Sequence, residues 1–424
     1  MLVVLRSKIS TINSSNAEAL RMMAAMTPSH KADSSRFSRS EWILLALMAA
    51  IQFSHIVDFM IMMPLGPQLM RLFHIDPQQF GLLVSSYTFA AGISGFAASF
   101  FIDRYDRKSS LLFFYVGFAA GTIACALAPT FSLLLLCRSI TGFFGGVLGS
   151  LVLSIVSDAI PYNRRGAAMG IVMGSFSIAS VFGVPFSLYL ANLTSWHAPF
   201  MFLGVVSFAV IALVVSFMQP MTKHLRSKSE QHPPLAALTH IFQTPNQLFA
   251  LLFMFCLILG QFSIIPLLSA SYVSNAGLTE AQLPLTYMFG GLCTIIASPL
   301  VGRLADRYGK RKVFLVAVAT SILPIYIITN LGHHSLWLVL VISSVFFVMM
   351  SGRMVPAMAM ISATATPAYR GSFMSISSSV QQLSAALASY LSGVIVVQST
   401  SGELLRYEYV GYIAIAFSCL AFLV

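Results

Sequence analysis

A short charged turn occurs twice in this chain, each time between two long apolar runs. Residues 101–111 read FIDRYDRKSSL, and residues 304–314 read LADRYGKRKVF. The Asp-Arg-Tyr triplets that begin at Asp103 and Asp306 are 203 residues apart (306 − 103), close to half of the 424 residues. A charged turn repeated at this interval, between runs long enough to cross a bilayer, indicates a duplicated membrane protein.

The overall composition agrees with a protein embedded in lipid. The chain is 57% hydrophobic and only 9% charged, whereas a soluble domain carries about 25% charged residues. A chain with so few charges lacks the polar surface that contact with water requires. The first forty residues differ, because they are rich in polar and basic residues and hold no apolar core long enough for a secretory signal. Residues 1–40 are therefore predicted to form a disordered cytosolic tail.

Apolar runs long enough to span a membrane fall into two sets of six. A bilayer core needs about 20 apolar residues per helix, and a polar, basic break at 218–246 separates the two sets. The predicted fold class is an all-α membrane protein with twelve transmembrane helices in two pseudo-symmetric six-helix bundles, 41–217 and 247–424, joined by a cytosolic loop at 218–246. The predicted spans are 42–70, 80–102, 110–129, 131–157, 166–191, 199–217, 247–274, 283–305, 312–331, 335–360, 371–398 and 409–424.

The positions of Lys and Arg predict the orientation of the chain. If the N-terminus lies in the cytosol, 20 of the 24 basic residues fall in the tail and in cytosolic loops, as the positive-inside bias of membrane proteins requires. The outside loops hold only Arg71 and Arg406, and Arg138 and Arg353 lie within spans. Both termini and the 218–246 loop are therefore predicted to be cytosolic. The net charge of +11 then reflects membrane topology and does not indicate a nucleic-acid partner.

Together with the twelve spans, the repeated turn resembles a signature of the major facilitator superfamily, and the resemblance covers the chain from about residue 42 onward. GRLADRYGKRK at 302–312 is similar to the family's loop between the eighth and ninth spans, and FIDRYDRKSS at 101–110 corresponds to its partner between the second and third. In the first copy, Asp106 stands where Gly309 stands in the second. The resemblance implies a secondary transporter that moves a small organic solute by alternating access.

The resemblance also implies that the two loops act as a gate on the cytosolic side. Asp103 is expected to cap the start of the eleventh span, and Asp306 the start of the fifth, because a helix N-terminus favours an anion. Arg107 is expected to pair with Asp158 at the end of the fourth span. The predicted gate residues are Asp103, Arg104, Arg107, Asp158, Gly302, Asp306, Arg307 and Arg311.

Asp58 is the only acidic residue well within a span. An ionised carboxylate among lipid tails is costly, so intramembrane acids usually face the protein interior and are functional. His55 precedes Asp58 by three residues and lies on the same helical face, and imidazole changes charge near neutral pH. Asp58 and His55 are therefore the predicted proton-coupling residues. The alternative is a structural Asp58, hydrogen-bonded between helices.

Two arginines within spans are candidates for the substrate cavity, Arg138 in the fourth and Arg353 in the tenth, since a charge inside a membrane is costly and usually functional. The repeat gives Arg353 no counterpart in the first half, which suits a substrate or coupling role. Alternatively, its side chain snorkels to the cytosolic interface. Gln381 and Gln382 in the eleventh span are further candidates, able either to hydrogen-bond a solute or to join neighbouring helices.

The predicted function is secondary active transport across the inner or plasma membrane, with a small organic solute and protons as partners and a monomer as the working unit. Resemblance to multidrug and sugar exporters favours export, although Val184 splits the Gly-Pro pair that proton-linked drug exporters carry in the fifth span. The chain has no GxxxxGK(S/T) nucleotide-binding loop, and no nucleophile–base pair or metal-ligand spacing indicates an enzyme or a cofactor. Two alternatives remain open, an uncoupled uniporter and a sensor that uses the fold without transport.

Overall fold

The computed structural model describes residues 37–222, 234–366 and 369–423. The chain divides into two units, Met1–Trp42 and Ile43–Val424, and the predicted tail at 1–40 lies almost wholly outside the described residues. The second unit is nearly all helical. The helices of its first half, counting α1 from its start in the first unit, are α1 Arg39–Ile61, α2 Gly66–Phe73, α3 Pro77–Ala98, α4 Arg107–Ala126, α5 Phe131–Ala159, α6 Tyr162–Ile178, α7 Val184–Leu193 and α8 His197–Phe217.

The second half repeats this arrangement after the linker. A two-stranded antiparallel ribbon, β1 Val397–Gln398 and β2 Leu404–Leu405, connects its last two helices. The helices of this half are α9 Pro234–Gln243, α10 Pro245–Phe262, α11 Ile265–Ser274, α12 Leu283–Tyr308, α13 Lys310–Thr329, α14 Leu336–Thr364, α15 Arg370–Ile395 and α16 Tyr407–Leu423.

The predicted all-α fold with twelve spans in two six-helix bundles is confirmed. Each predicted apolar run coincides with one helix or with a broken pair of helices. Ten helical segments of the described chain are long and apolar enough to cross a membrane. The remaining two spans are α15, with 26 residues, and α16, with 17 residues.

Three of the spans are interrupted, and each interruption precedes a proline. The first span breaks between α1 and α2, the fifth at a π-helical turn before α7, and the seventh between α10 and α11. Pro67, Pro185 and Pro266 occupy the first turn of the helix that follows each break. Proline has no N–H to donate, so it is tolerated at a helix start but interrupts the ladder of hydrogen bonds in a continuous helix.

Part of the predicted 218–246 loop is helical, which the sequence analysis missed. Helix α9 occupies Pro234–Gln243, just before the seventh span begins at Pro245. The imidazole of His240 packs on the ring of Tyr369 at the start of α15, with ring centroids 4.6 Å apart. The segment is short and mixes apolar with polar residues, so it lacks the hydrophobic length by which the spans were recognised.

Glycines allow α3 and α5 to pack closely in the first half. A Cβ atom on Gly142 would overlap the backbone of Tyr87, and one on Gly146 would overlap the backbone of Ala91. Small residues four apart on one helical face permit such close approach between membrane helices. These glycines therefore have a packing role, which brings Tyr87 of α3 against the face of α5 that carries Arg138.

The two halves of the chain meet along α3 and α15. A Cβ atom on Gly81 would lie 2.6 Å from the carbonyl oxygen of Ser389, and one on Gly393 would lie 2.6 Å from the carbonyl oxygen of Pro77. Both glycines lie far from the repeated turns. We call the end that carries the turns at 99–108 and 302–312 the motif end, and the other the opposite end. The backbones of α3 and α15 are thus in direct contact at the opposite end.

Candidate functional site

A buried ion pair lies in the first half, between α1 and α5. The Nη1 atom of Arg138 donates a hydrogen bond of 2.8 Å to Oδ2 of Asp58, and Thr122 of α4 donates one of 3.1 Å to Oδ1. The side chains of the pair are 1% and 0% exposed. Two residues that the sequence analysis assigned to separate roles therefore form one charge-neutral unit.

Aromatic rings enclose the guanidinium of Arg138. Its central carbon lies 4.3 Å from the ring centroid of Tyr87 and 5.9 Å from that of Phe200. Such cation–π contacts are attractive, and they are stronger where water is excluded. The Nε atom of Arg138 and the hydroxyl of Tyr87 have no hydrogen-bond partner among the described residues. Asp58 is therefore the main polar partner of this cation.

His55 lies about one turn before Asp58 on α1. Its ring faces Phe118 of α4, with centroids 5.9 Å apart, and neither ring nitrogen has a partner in the described part of the chain. Gly145 of α5 leaves room for the ring, because a Cβ atom there would lie 3.3 Å from Cδ2 of His55 and 2.6 Å from the hydroxyl of Tyr87. His55 is thus held beside the ion pair by packing and is not bonded to it.

The ion pair has two possible charge states. With Asp58 ionised, the carboxylate neutralises Arg138, and each buried charge has the partner it needs. With Asp58 protonated, the guanidinium loses its counter-charge, because arginine stays charged in proteins. A single proton on Asp58 therefore decides whether the interior of this bundle is neutral or positive. A buried group of this kind can tie proton uptake to a rearrangement of its helices.

Arg353 lies in the core of the second half and is 0% exposed. Its Nη1 atom donates a hydrogen bond of 2.8 Å to the hydroxyl of Ser418 in α16. A snorkelling arginine would expose its guanidinium at the interface, so that alternative does not describe this side chain. The structure does not bring Arg353 to Asp58 or Arg138, which lie in the other bundle.

Gln381 and Gln382 are half-buried on α15. Neither side chain has a hydrogen-bond partner among the residues that the structure describes, so they do not join neighbouring helices in this conformation. Leu383, the next residue, packs on α3, where a Cβ atom on Gly92 would lie 2.8 Å from it. The two glutamines therefore lie beside the contact between the halves.

The first repeated turn is fixed within its own half. The Nε atom of Arg107 lies 3.0 Å from Oδ2 of Asp158 at the end of α5, so the structure brings together the two residues that the sequence analysis paired. Asp106 caps α4 by accepting a hydrogen bond of 2.9 Å from the backbone N–H of Ser109. Arg104 is exposed. The side chains of Asp103 and Arg370 lie outside the described residues. The expected contact of Asp103 with the start of α15 therefore lies outside them as well.

The second repeated turn is free of the other half. Asp306 is exposed and has no hydrogen bond or ion pair within the described chain, so its expected contact with the start of α6 is not formed in this conformation. Arg307 and Arg311 are exposed as well, and the guanidinium carbon of Arg307 lies 5.3 Å from the ring centroid of Tyr308. A Cβ atom on Gly302 would meet only Val355, at 3.9 Å.

An ion pair that the sequence analysis missed joins the two halves at the opposite end. Arg71 of α2 contacts Glu280 through two hydrogen bonds, 2.7 Å from Nη1 to Oε1 and 3.2 Å from Nη2 to Oε2. Asn192 of α7 donates a further bond of 3.2 Å to the carbonyl oxygen of Glu280. The residues are 209 positions apart, and opposite charges in predicted outside loops of the two halves were the only available signal.

The contacts between α6–α7 and α12 change along the molecule. Near the middle, a Cβ atom on Gly291 of α12 would lie 3.3 Å from the backbone of Ser180. Toward the motif end, Cβ atoms on Gly170 and Gly174 of α6 would meet nothing within 4 Å. The described contacts of α12 with α6 and α7 are therefore concentrated away from the motif end.

The chain is similar to known membrane transporters. The family model described as Major Facilitator Superfamily matches residues 48–293 and 250–424. The chain is 27% identical over 369 residues to the uncharacterized MFS-type transporter YwfA of Bacillus subtilis, with 86% of each protein covered. It is also 24% identical over 254 residues to a probable sugar efflux transporter of Helicobacter pylori, covering 60% of this chain and 63% of that protein.

Solved structures share the fold. The nucleoside transporter NupG superposes with a TM-score of 0.71 at 14% identity, covering 91% of this chain and 98% of that one. A bacterial homologue of the human lysosomal transporter Spinster, in an inward-facing and unoccupied conformation, gives a TM-score of 0.70 at 17% identity, covering 85% of this chain and 83% of that one. At these identities the likeness concerns the fold alone.

Proposed function

We propose that this chain, a transporter that belongs to the major facilitator superfamily, is a proton-coupled exporter of a small organic solute that works by alternating access between its two bundles. The observation that carries the proposal is the buried pair of Asp58 and Arg138, 2.8 Å apart. A purely structural role would be met as well by apolar side chains, which often stabilise a core more than a buried ion pair does. A titratable carboxylate beside a fixed positive charge can couple proton binding to a change in the arrangement of the helices.

Alternating access supplies the second part of the mechanism. At the opposite end α3 and α15 are in backbone contact and Arg71 pairs with Glu280, whereas α6 has few contacts with α12 toward the motif end. In the proposed cycle the motif loops close against the other half when the opposite end opens. Protonation of Asp58 from one side and release to the other would then bias which end is open, because only the ionised form neutralises Arg138.

The direction and the domain boundaries belong to the same proposal. Export is supported by the likeness to a probable sugar efflux transporter. We propose that the two bundles comprise residues 41–217 and 247–424, that residues 218–246 are the linker between them, and that the protein works as a monomer. The solute is proposed to bind between the bundles, where the half-buried Gln381 and Gln382 offer hydrogen bonds.

The transport proposal is tested with purified protein in liposomes. Solute classes are first screened by the shift they cause in melting temperature, since a ligand that binds only the folded state raises it. Compounds that raise the melting temperature are then tested, in radiolabelled form, for exchange across the liposome membrane by counterflow. Exchange of at least one class supports a transporter of that solute. Binding without exchange would favour a sensor, and net transport that ignores an imposed pH gradient would favour a uniporter.

Topology gives the first prediction. Tags placed at the N-terminus and at residue 230 are expected to be reached only from the cytosol, because 20 of the 24 basic residues lie on that side in the proposed orientation. A tag inserted at residue 400, between α15 and α16, is the matched control and should be reached only from outside. Labelling of residue 230 from outside the cell would contradict the orientation.

The gate loops give the second prediction. Asp306→Asn and Asp103→Asn are each expected to slow exchange roughly two- to fivefold, because an amide loses the charge–dipole attraction that a carboxylate has for a helix N-terminus. The melting temperature of Asp306→Asn should be unchanged, since Asp306 is exposed and makes no hydrogen bond or ion pair within the described residues. Glu408→Gln, at the opposite end, serves as the control. Wild-type exchange by both aspartate variants would reduce the loops to topology signals.

A further inference from the structure

One of the buried arginines lacks a carboxylate partner. Among the described residues, Arg107, Arg138 and Arg353 are buried. The first two lie 3.0 Å and 2.8 Å from an aspartate. Arg353 has only the hydroxyl of Ser418 as an acceptor, and its Nε and Nη2 atoms have none within the described part of the chain.

No acid of the second half is placed to compensate this charge. Arg353 lies 17 residues into α14 (353 − 336) and 11 residues from its end (364 − 353), about 26 Å and 16 Å along the helix. Glu280 is already paired with Arg71, and Asp306 is exposed at the motif end. The acids of this half are Glu280, Asp306, Glu403 and Glu408, and all of them lie outside the membrane-spanning interior.

The described neighbours of Arg353 along its own helix are apolar. Met350 and Ala357, about one turn before and after it on α14, are buried in the same stripe of the helix. Arginine keeps its proton in proteins, so the charge cannot be removed by deprotonation. An unpaired charge in an apolar interior is strongly unfavourable. A counter-charge from outside the chain would compensate it.

We propose that Arg353 binds a small monovalent anion inside the second bundle. Two free N–H donors on one planar guanidinium suit a halide or a single carboxylate group, which arginine can hold in a fork. The anion is either a free inorganic ion or the carboxylate of the transported solute. Only the second source rests on the proposed transport function, and the binding itself does not depend on proton coupling.

The test uses the full-length protein at constant ionic strength in a buffer whose anion is the bulky sulfonate MES, which carries no carboxylate. Chloride or acetate replaces MES in steps, and the melting temperature is recorded. We expect a saturable rise for the wild type, loss of the rise in Arg353→Gln, and a higher midpoint concentration in Arg353→Lys, which keeps the charge without the fork. Arg406→Gln, which removes an exposed loop charge, should respond like the wild type.

The pattern of responses identifies the source of the anion. A rise with chloride indicates a free inorganic ion, and a rise with acetate but not chloride indicates a carboxylate of the solute. In MES alone, Arg353→Gln should melt no lower than the wild type, because it removes an uncompensated charge. A wild type that ignores both anions, or an Arg353→Gln variant that keeps the full response, would overturn the proposal. If Arg353→Gln does not fold, an Arg353→Lys variant whose midpoint anion concentration equals that of the wild type would also overturn the proposal.

Discussion

Asparagine in place of Asp58 is expected to abolish solute movement driven by a pH gradient. Asparagine keeps the size and much of the hydrogen bonding of aspartate but cannot change its charge. The substitution also leaves Arg138 buried without its carboxylate, 1% exposed, so the protein should lose about 3–5 kcal/mol of stability. Thermal melting and flux in liposomes measure the two effects separately.

A double variant distinguishes coupling from stability. Asp58→Asn combined with Arg138→Gln removes both charges, so most of the lost stability should return. Transport driven by a pH gradient should remain absent, while solute exchange survives. Asp76→Asn is the matched control, because Asp76 is an exposed helix cap and asparagine caps as well as aspartate. Recovery of pH-driven transport in the double variant would leave the pair a structural role only.

Valine in place of Gly393 is expected to have the largest effect on the conformational equilibrium. A Cβ atom there would lie 2.6 Å from the carbonyl oxygen of Pro77, a backbone atom that cannot turn aside. The overpacking should destabilise, by about 1–3 kcal/mol, the state in which α3 and α15 are in contact at the opposite end. The population open at that end should therefore rise roughly 5- to 150-fold.

Spin labels on cysteines that replace Leu72 and Ala281, the exposed neighbours of Arg71 and Glu280, can measure this shift as a distance distribution. The short distance expected from the contact between Arg71 and Glu280 should give way to a longer one in Gly393→Val. Gly332→Val is the control, since Gly332 lies in a loop at the same end and a Cβ atom there would meet nothing within 4 Å. An unchanged distribution in Gly393→Val would show that the glycine contact does not hold this end closed.

The spans were predictable from sequence because each depends on a local property. An apolar run of sufficient length must be a helix in lipid, where every backbone hydrogen bond has to be made internally. The bond between Arg107 and Asp158 was predictable for a related reason, since the order of the spans places both residues at the motif end. Local patterns and topology together fix which end of a helix a residue occupies.

The pairing of Asp58 with Arg138 could not be read from the sequence. The residues are 80 positions apart, and their meeting depends on the depth and rotation of two antiparallel helices. The state of Asp306 was not predictable either, because its expected partner depends on which end of the molecule is open. The charged residues within the spans and turns could be identified from sequence, while tertiary packing and conformational state decided their partners.

Proton movement during net solute transport tests the central claim most directly. Liposomes carrying a pH-sensitive dye and the wild-type protein should show a proton flux when a transported solute is added, in the direction opposite to the solute. Liposomes with Asp58→Asn and Arg138→Gln combined should exchange the same solute without any proton flux. Net solute transport by the wild type with no proton flux, or an undiminished flux in the double variant, would contradict coupling through Asp58.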